Sequence, residues 1–228
     1  MSVAALLPAA GRGTRMGRDK IWLDVGGVPL LQHTLHAIAA AGLFDSVTVV
    51  VPRPAWDAVR DLAAAAGVAD LRLVEGGERR QDSVRAGLEL VGGATLVCVH
   101  DAVRPLCPPP LFAAVVDAAR RVGAATAAIP VVDSVKRVRR EGALRTVAET
   151  VERADLVAVQ TPQAFDTALL RRAHEAALRD GVVADDDCAL VEHLGVPVAV
   201  VEGDPRNLKV TRPADLAVLR AALTGEEG

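Results

Sequence analysis

Arg12, Arg15, Arg18 and Lys20 are threaded between Gly11, Gly13 and Gly17 near the amino terminus. Small residues let backbone N–H groups approach an anion closely, and fixed cations neutralise phosphate charge. The loop therefore reads as a seat for a nucleotide triphosphate. Two familiar glycine motifs do not account for it. A Walker loop needs a longer glycine spacing followed by Gly-Lys-Ser/Thr, whereas Lys20 is followed by Ile21. A dinucleotide fingerprint accommodates Gly11 and Gly13, but its third glycine falls on Met16. The strand ending near Val51 then runs into Pro52 and Arg53, with no acid placed for a ribose hydroxyl. The plain alternative is a strand-to-helix turn carrying solvated arginines.

Other stretches carry the same kind of chemistry. Glu75–Val84 reads EGGERRQDSV, a second glycine turn at a strand's end, in which Ser83 either caps the next helix or bonds a ligand. His100-Asp101-Ala102-Val103-Arg104-Pro105 follows a buried strand. A carboxylate there is costly unless it is paired or bound to a cation, which makes Asp101 the chain's best metal-ligand candidate. Its alternatives are a helix cap or a salt bridge to Arg104. His100 reads as a satisfied core histidine. Asp185, Asp186 and Asp187 open a helical stretch that runs to Gly195, favourable at the positive end of a helix dipole, and capping is the reading taken for Asp187.

The elements that must position these residues alternate along the chain. Ser2–Leu7 is a continuous apolar run suited to a strand buried on both faces. A helix opens at Pro29 with Leu30, Leu31, Thr34, Leu35 and Ile38 on one face, and ends at Gly42. Strands are expected at Ser46–Val51, Leu71–Val74, Leu96–Val99 and Ala124–Pro130, with helices at Ala55–Ala66 and Pro110–Val122 between them. That alternation implies an α/β fold with a doubly wound, mostly parallel sheet. The pattern then changes. Val135–Arg139 and Leu144–Thr150 are β-type runs around Glu141-Gly142, rich in Lys136, Arg137, Arg139, Arg140, Arg145 and Arg153. Such a hairpin has little core of its own, so residues 134–155 are expected to form a dimerisation arm on a partner subunit; the alternative is a solvated hairpin on the same one. A strand at Leu156–Gln160, a helix capped by Asp166, a strand at Val198–Val201 and a last helix from Thr211 complete one domain over 1–228.

Composition limits the function classes. Hydrophobic residues make up 51% of 228 residues, but aromatics only 2%, so alanine, valine and leucine must do the packing. A net charge of −3 offers no basic excess for nucleic acid or an anionic membrane. Cys98, Cys107 and Cys188 have spacings that suit neither a disulfide framework nor a zinc site. No signal-type segment or membrane-length apolar run appears, so a cytoplasmic protein is expected.

Taken together, PAAGRGTRMG, EGGERRQDSV, HDAVRP, VVDSVKR, TVER, QTPQAF, DDDCALVE and NLKVTRPADL resemble, in order, the 2-C-methyl-D-erythritol 4-phosphate cytidylyltransferase family. The ribitol 5-phosphate cytidylyltransferases share much of the pattern and are the rival reading; a catalytically silent nucleotide-binding protein is another. The resemblance implies a Rossmann-like nucleotidyltransferase in which the substrate phosphate attacks the α-phosphorus of CTP, with magnesium, and pyrophosphate leaves. It implies Arg15, Lys20 and Lys209 as catalytic cations. Ala9, Ala10, Gly11, Gly13, Gly76, Gly77, Ser83 and Ala102 would bind the nucleotide. Asp101, Arg104, Ser134, Arg153 and Asp185 would bind the polyol phosphate, with Asp101 also the metal ligand. The arm would reach the neighbouring subunit's site in a homodimer. Two departures stand out. The loop before Lys20 is compact and lacks the family's proline, and the family's TDDAS reads DDDCA here. An acid facing a phosphate would repel it, so Asp185 is expected to bind polyol hydroxyls or turn away.

Overall fold

Alternating side chains along the first strand divide the interior in two. In the computed structural model, which describes residues 1–11 and 20–224, β1 (Val3–Pro8) sends Val3, Ala5 and Leu7 into one apolar cluster and Ala4 and Leu6 into another. A strand covered on both faces needs this unbroken apolar run. A 3-10 turn at Lys20–Trp22 leads to β2 (Asp24–Val25), β3 (Val28–Pro29), α1 (Leu30–Ala41), β4 (Ser46–Val50), α2 (Trp56–Ala65), β5 (Leu71–Val74), α3 (Arg80–Leu88), β6 (Leu96–Val99) and α4 (Pro109–Val122). The chain continues through β7 (Ala124–Pro130), β8 (Val135–Glu141), β9 (Leu144–Val151), β10 (Val157–Asp166), α5 (Thr167–Asp180), α6 (Asp187–His193), β11 (Ala199–Glu202) and α7 (Pro213–Thr224).

The main sheet has seven strands in the order β11-β7-β10-β6-β1-β4-β5. Only β10 runs antiparallel to its neighbours β6 and β7, so the doubly wound, mostly parallel reading holds. Helices α1, α2 and α4 cover one face with Leu35, Val59 and Phe112 among their buried residues. Helices α3, α5 and α6 cover the other with Val84, Leu170 and Val191. A small satellite of Val25, Leu30, Val210 and Leu219 docks α7. Caps set the ends: Gly42 closes α1 at φ 62°, and the Asp166 carboxylate accepts from the Leu169 N–H at 2.9 Å.

Three local features differ from expectation. Asp24-Val25-Gly26-Gly27-Val28-Pro29 forms a small β2–β3 hairpin, its turn built by two glycines at φ 67° and 88°. The Thr161-Pro162-Gln163 stretch, expected beyond a strand, lies inside β10, where the register with β7 shifts between Val159 and Gln163. Helix α6 starts at Asp187 rather than Asp185, because Asp186 is the cap: its carboxylate accepts from the Ala189 N–H at 2.9 Å. The hairpin β8–β9 forms as expected, turning at Gly142 with φ 60°, and residues 136–150 are exposed throughout.

Candidate active site

The helix α3 carries the chain from the sheet edge at β5 back to β6, which lies beside β1. The loops after β1, β5 and β6 are thereby gathered at one end of the sheet, where α/β proteins hold ligands. They line a cavity of about 330 Å³ together with Lys20 and Lys209. A smaller cavity of about 180 Å³ adjoins it and shares Arg80, Asp101 and Lys209; Arg104, Thr161 and Asp185 are among its other lining residues.

Asp101 stands at the junction. Its carboxylate lies 2.9 Å from Lys209 Nζ, 3.3 Å from Arg104 Nε and 3.5 Å from Arg80 Nε. Burial pushes its pKa up, but Lys209, Arg80 and Arg104 together hold it below the usual carboxylate range. Arg80 is shared. Its Nη1 donates to Asp187 Oδ2 at 2.7 Å, and the other Asp187 oxygen meets His174 Nε2 at 3.1 Å. Asp187 is 1% exposed. Burial again opposes its charge, and Arg80 and His174 restore it. The capping reading of Asp187 is therefore corrected: its side chain anchors an active-site arginine, and Asp186 caps the helix.

The backbone of Asp101 is held as firmly as its side chain. Its N–H donates to Thr161 Oγ1 at 2.9 Å, and that hydroxyl lies 3.1 Å from His100 Nδ1. His100 Nε2 lies 3.1 Å from the Arg104 carbonyl, so a neutral ring protonated on Nε2 satisfies every partner. Burial pushes the ring's pKa down to about 4, in keeping with a satisfied core histidine. One residue on, the Ala102 carbonyl accepts from Thr34 Oγ1 of α1 at 2.9 Å.

Ala9, Ala10, Gly11, Lys20, Gly77, Ser83 and Ala102 all face the larger cavity. Gly76 packs behind it. A Cβ built there would stand 2.3 Å from Ala10 Cβ and 2.7 Å from Ser83 Oγ. Ser83 is not a cap: it sits within the first turns of α3, buried, and its hydroxyl donates to the Arg79 carbonyl at 3.1 Å. Asp101 and Lys209 face both cavities, and Arg104 and Asp185 the smaller one, Asp185 from an exposed position. Ser134 and Arg153 line neither. They lie exposed at the hairpin's base, where the Arg153 guanidinium donates to the Val132 carbonyl. Gly13 and Arg15 lie outside the described residues.

The donor set does not suit a metal at Asp101. Both carboxylate oxygens already face cations, which a magnesium ion would have to displace. The Arg104 salt-bridge reading is the one the geometry supports. Sequence reading missed Arg80 and Asp187 as site residues. Arg79 and Arg80 are chemically equivalent in the sequence; both line the larger cavity, and only the start of α3 turns Arg80 onto two buried carboxylates while Arg79 stays exposed.

A family model described as IspD, 2-C-methyl-D-erythritol 4-phosphate cytidylyltransferase, matches residues 3–225. The 2-C-methyl-D-erythritol 4-phosphate cytidylyltransferase of Rhodococcus jostii is 44% identical over 99% of this chain and 96% of that protein. A bifunctional enzyme IspD/IspF from Anaeromyxobacter sp. is 45% identical over 97% of this chain, which spans only 57% of that protein. The crystal structure of the Thermus thermophilus 2-C-methyl-D-erythritol 4-phosphate cytidylyltransferase superposes with a TM-score of 0.79 at 38% identity, covering 98% of this chain and 100% of that one.

Proposed function

The chain belongs to the 2-C-methyl-D-erythritol 4-phosphate cytidylyltransferase family, and from that membership we propose how its residues divide the work. The enzyme transfers the cytidylyl group of CTP to 2-C-methyl-D-erythritol 4-phosphate, giving 4-diphosphocytidyl-2-C-methyl-D-erythritol and pyrophosphate, a step of isoprenoid biosynthesis. An oxygen of the polyol phosphate attacks the α-phosphorus of CTP as the bond to pyrophosphate breaks. No covalent enzyme intermediate is needed, only alignment and charge neutralisation.

CTP occupies the larger cavity. The glycine and alanine turns, with Ser83, receive the base and ribose through backbone groups, and Lys20 with Arg15 takes the charge growing on the α-phosphate and leaving group. The polyol phosphate occupies the smaller cavity. Lys209 and Arg104 face its phosphate, and Asp101, with Asp185 at the rim, accepts from its hydroxyls. The observation that supports this division is Asp101, clamped by Lys209, Arg104 and Arg80 where the two cavities meet. Magnesium belongs to this proposal as the triphosphate's own counter-ion. No step is routed through it, and Asp101 is assigned to the three cations.

Ser134 and Arg153 are proposed to act in the site of a second copy of this chain. The support is that neither residue lines this chain's two cavities, together with the bare apolar surface of the arm, where Val138, Leu144 and Val147 are 49%, 70% and 64% exposed. A cytoplasmic location is also proposed. Its support is three free, buried cysteines; among the described residues no helix is long and apolar enough to cross a membrane. The deciding assay is pyrophosphate release with CTP, magnesium and each polyol phosphate offered separately. Release with methylerythritol phosphate in strong preference to ribitol 5-phosphate is expected; the reverse preference overturns the substrate assignment.

A further inference from the structure

We infer that Asn207 is a positioning residue for the polyol phosphate, acting through Lys209 and Arg104. The inference rests on the proposed division of the site, and concerns a side chain that lines neither substrate cavity.

Asn207 is 0% exposed. Its Nδ2 donates to the Thr161 carbonyl at 2.7 Å and lies 3.3 Å from Gln160 Oε1, both in the irregular part of β10. Its own backbone carbonyl accepts from Arg104 Nη1 at 2.7 Å. One residue therefore joins three segments: β10, the loop after β6, and the loop that carries Lys209. The neighbouring bonds serve the same loop. Gln160 Nε2 donates to the Asp204 carbonyl at 3.0 Å, the Gly203 N–H donates to the Ala128 carbonyl at 2.7 Å, and the Val210 N–H donates to the Val103 carbonyl at 2.9 Å. Glycine suits that approach, since a Cβ at Gly203 would lie 3.1 Å from the Ala128 backbone carbonyl.

Lys209 stands between the Asn207 and Val210 anchors. Its side chain is 42% exposed, yet its ammonium reaches Asp101 at 2.9 Å. A flexible stem on an exposed residue aims reproducibly only if its backbone is fixed. Arg104 depends on the same residue directly: Nε faces Asp101, and Nη1 is held by the Asn207 carbonyl. The side-chain amide ties down the loop that carries both that carbonyl and Lys209, so its loss loosens the support of both cations of the polyol side. The loops at Pro8–Gly11 and Gly76–Arg80 keep their own supports, among them the bond from the Ala9 N–H to the Val50 carbonyl.

The test is steady-state kinetics of Asn207→Ala, alone and combined with Lys209→Ala, each substrate being varied in turn. The single variant is expected to raise KM for methylerythritol phosphate about tenfold while KM for CTP moves less than about threefold. Added to Lys209→Ala, it should raise the polyol KM by clearly less than its own tenfold, because one of the two cations it positions is gone and only Arg104 remains. If Asn207→Ala folds poorly, Asn207→Ser, which retains a smaller hydrogen-bonding group, carries the same comparison. A folded variant with both KM values unchanged, or both raised alike, overturns the inference, as does full additivity with Lys209→Ala. If Lys209→Ala itself leaves the polyol KM untouched, the division of the site fails and this inference with it.

Discussion

Asp101 keeps a negative charge that burial opposes, and the cations that allow this belong to three different segments. Replacing it by asparagine keeps the shape and leaves those cations uncompensated. Asp101→Asn should lower stability by about 3 kcal/mol and raise the polyol phosphate KM at least about tenfold. Its magnesium titration should match the parent enzyme; a shifted midpoint would make Asp101 a metal ligand after all. His100 makes a second residue-scale prediction. Unfolded, it binds a proton below its ordinary value of 6.5; folded, it does so only below about 4. The unfolded state therefore takes up more protons between those values, and stability is fully present above pH 6.5 and falls as the pH drops toward 4. The loss across that window is roughly 3 kcal/mol. Denaturant melts at pH 7 and pH 4.5 read it, and His100→Gln should flatten the difference.

At the scale of elements, the site depends on loops held close together by small residues. Gly76 lets the turn after β5 press against Ala10 and Ser83. A methyl group at Gly76 has no room, and the two walls of the nucleotide cavity must part. Gly76→Ala should cost about 1–3 kcal/mol and raise KM for CTP several-fold, with the polyol phosphate KM little changed. Equal CTP affinity in a folded variant would show that the turn does not set the nucleotide's position. Helix α6 makes the complementary contribution: its first residue, Asp187, fixes Arg80 through a 2.7 Å ion pair.

At the scale of the molecule, the bare hairpin and the placing of Ser134 and Arg153 outside both cavities are accounted for if two copies exchange arms. Exposed valine and leucine on a two-stranded ribbon gain little until another surface covers them. Light scattering should then give a dimer. Arg153→Ala and Lys20→Ala are each expected to be poorly active alone. Mixed after verified subunit exchange, they should recover about a quarter of parental activity, as expected when heterodimers hold one intact site. No recovery would place Arg153 outside the partner's site.

The sequence alone determined the order of most elements and the residue types that meet phosphate. Unbroken valine and alanine runs demand a sheet covered on both faces, and Pro29, Gly42 and Asp166 mark helix ends through local backbone chemistry. Glycine turns at strand ends likewise placed Gly11, Gly77 and Ser83 near one another, because a parallel sheet brings those ends to one rim. Only the tertiary structure decided between equivalents. It chose Arg80 over Arg79, gave capping to Asp186 and charge anchoring to Asp187, and surrounded Asp101 with cations from residues 80, 104 and 209. Sequence patterning reports which face of an element is apolar. Which buried charge meets which partner depends on contacts between residues far apart in the chain, and that choice is made only when the loops are brought together.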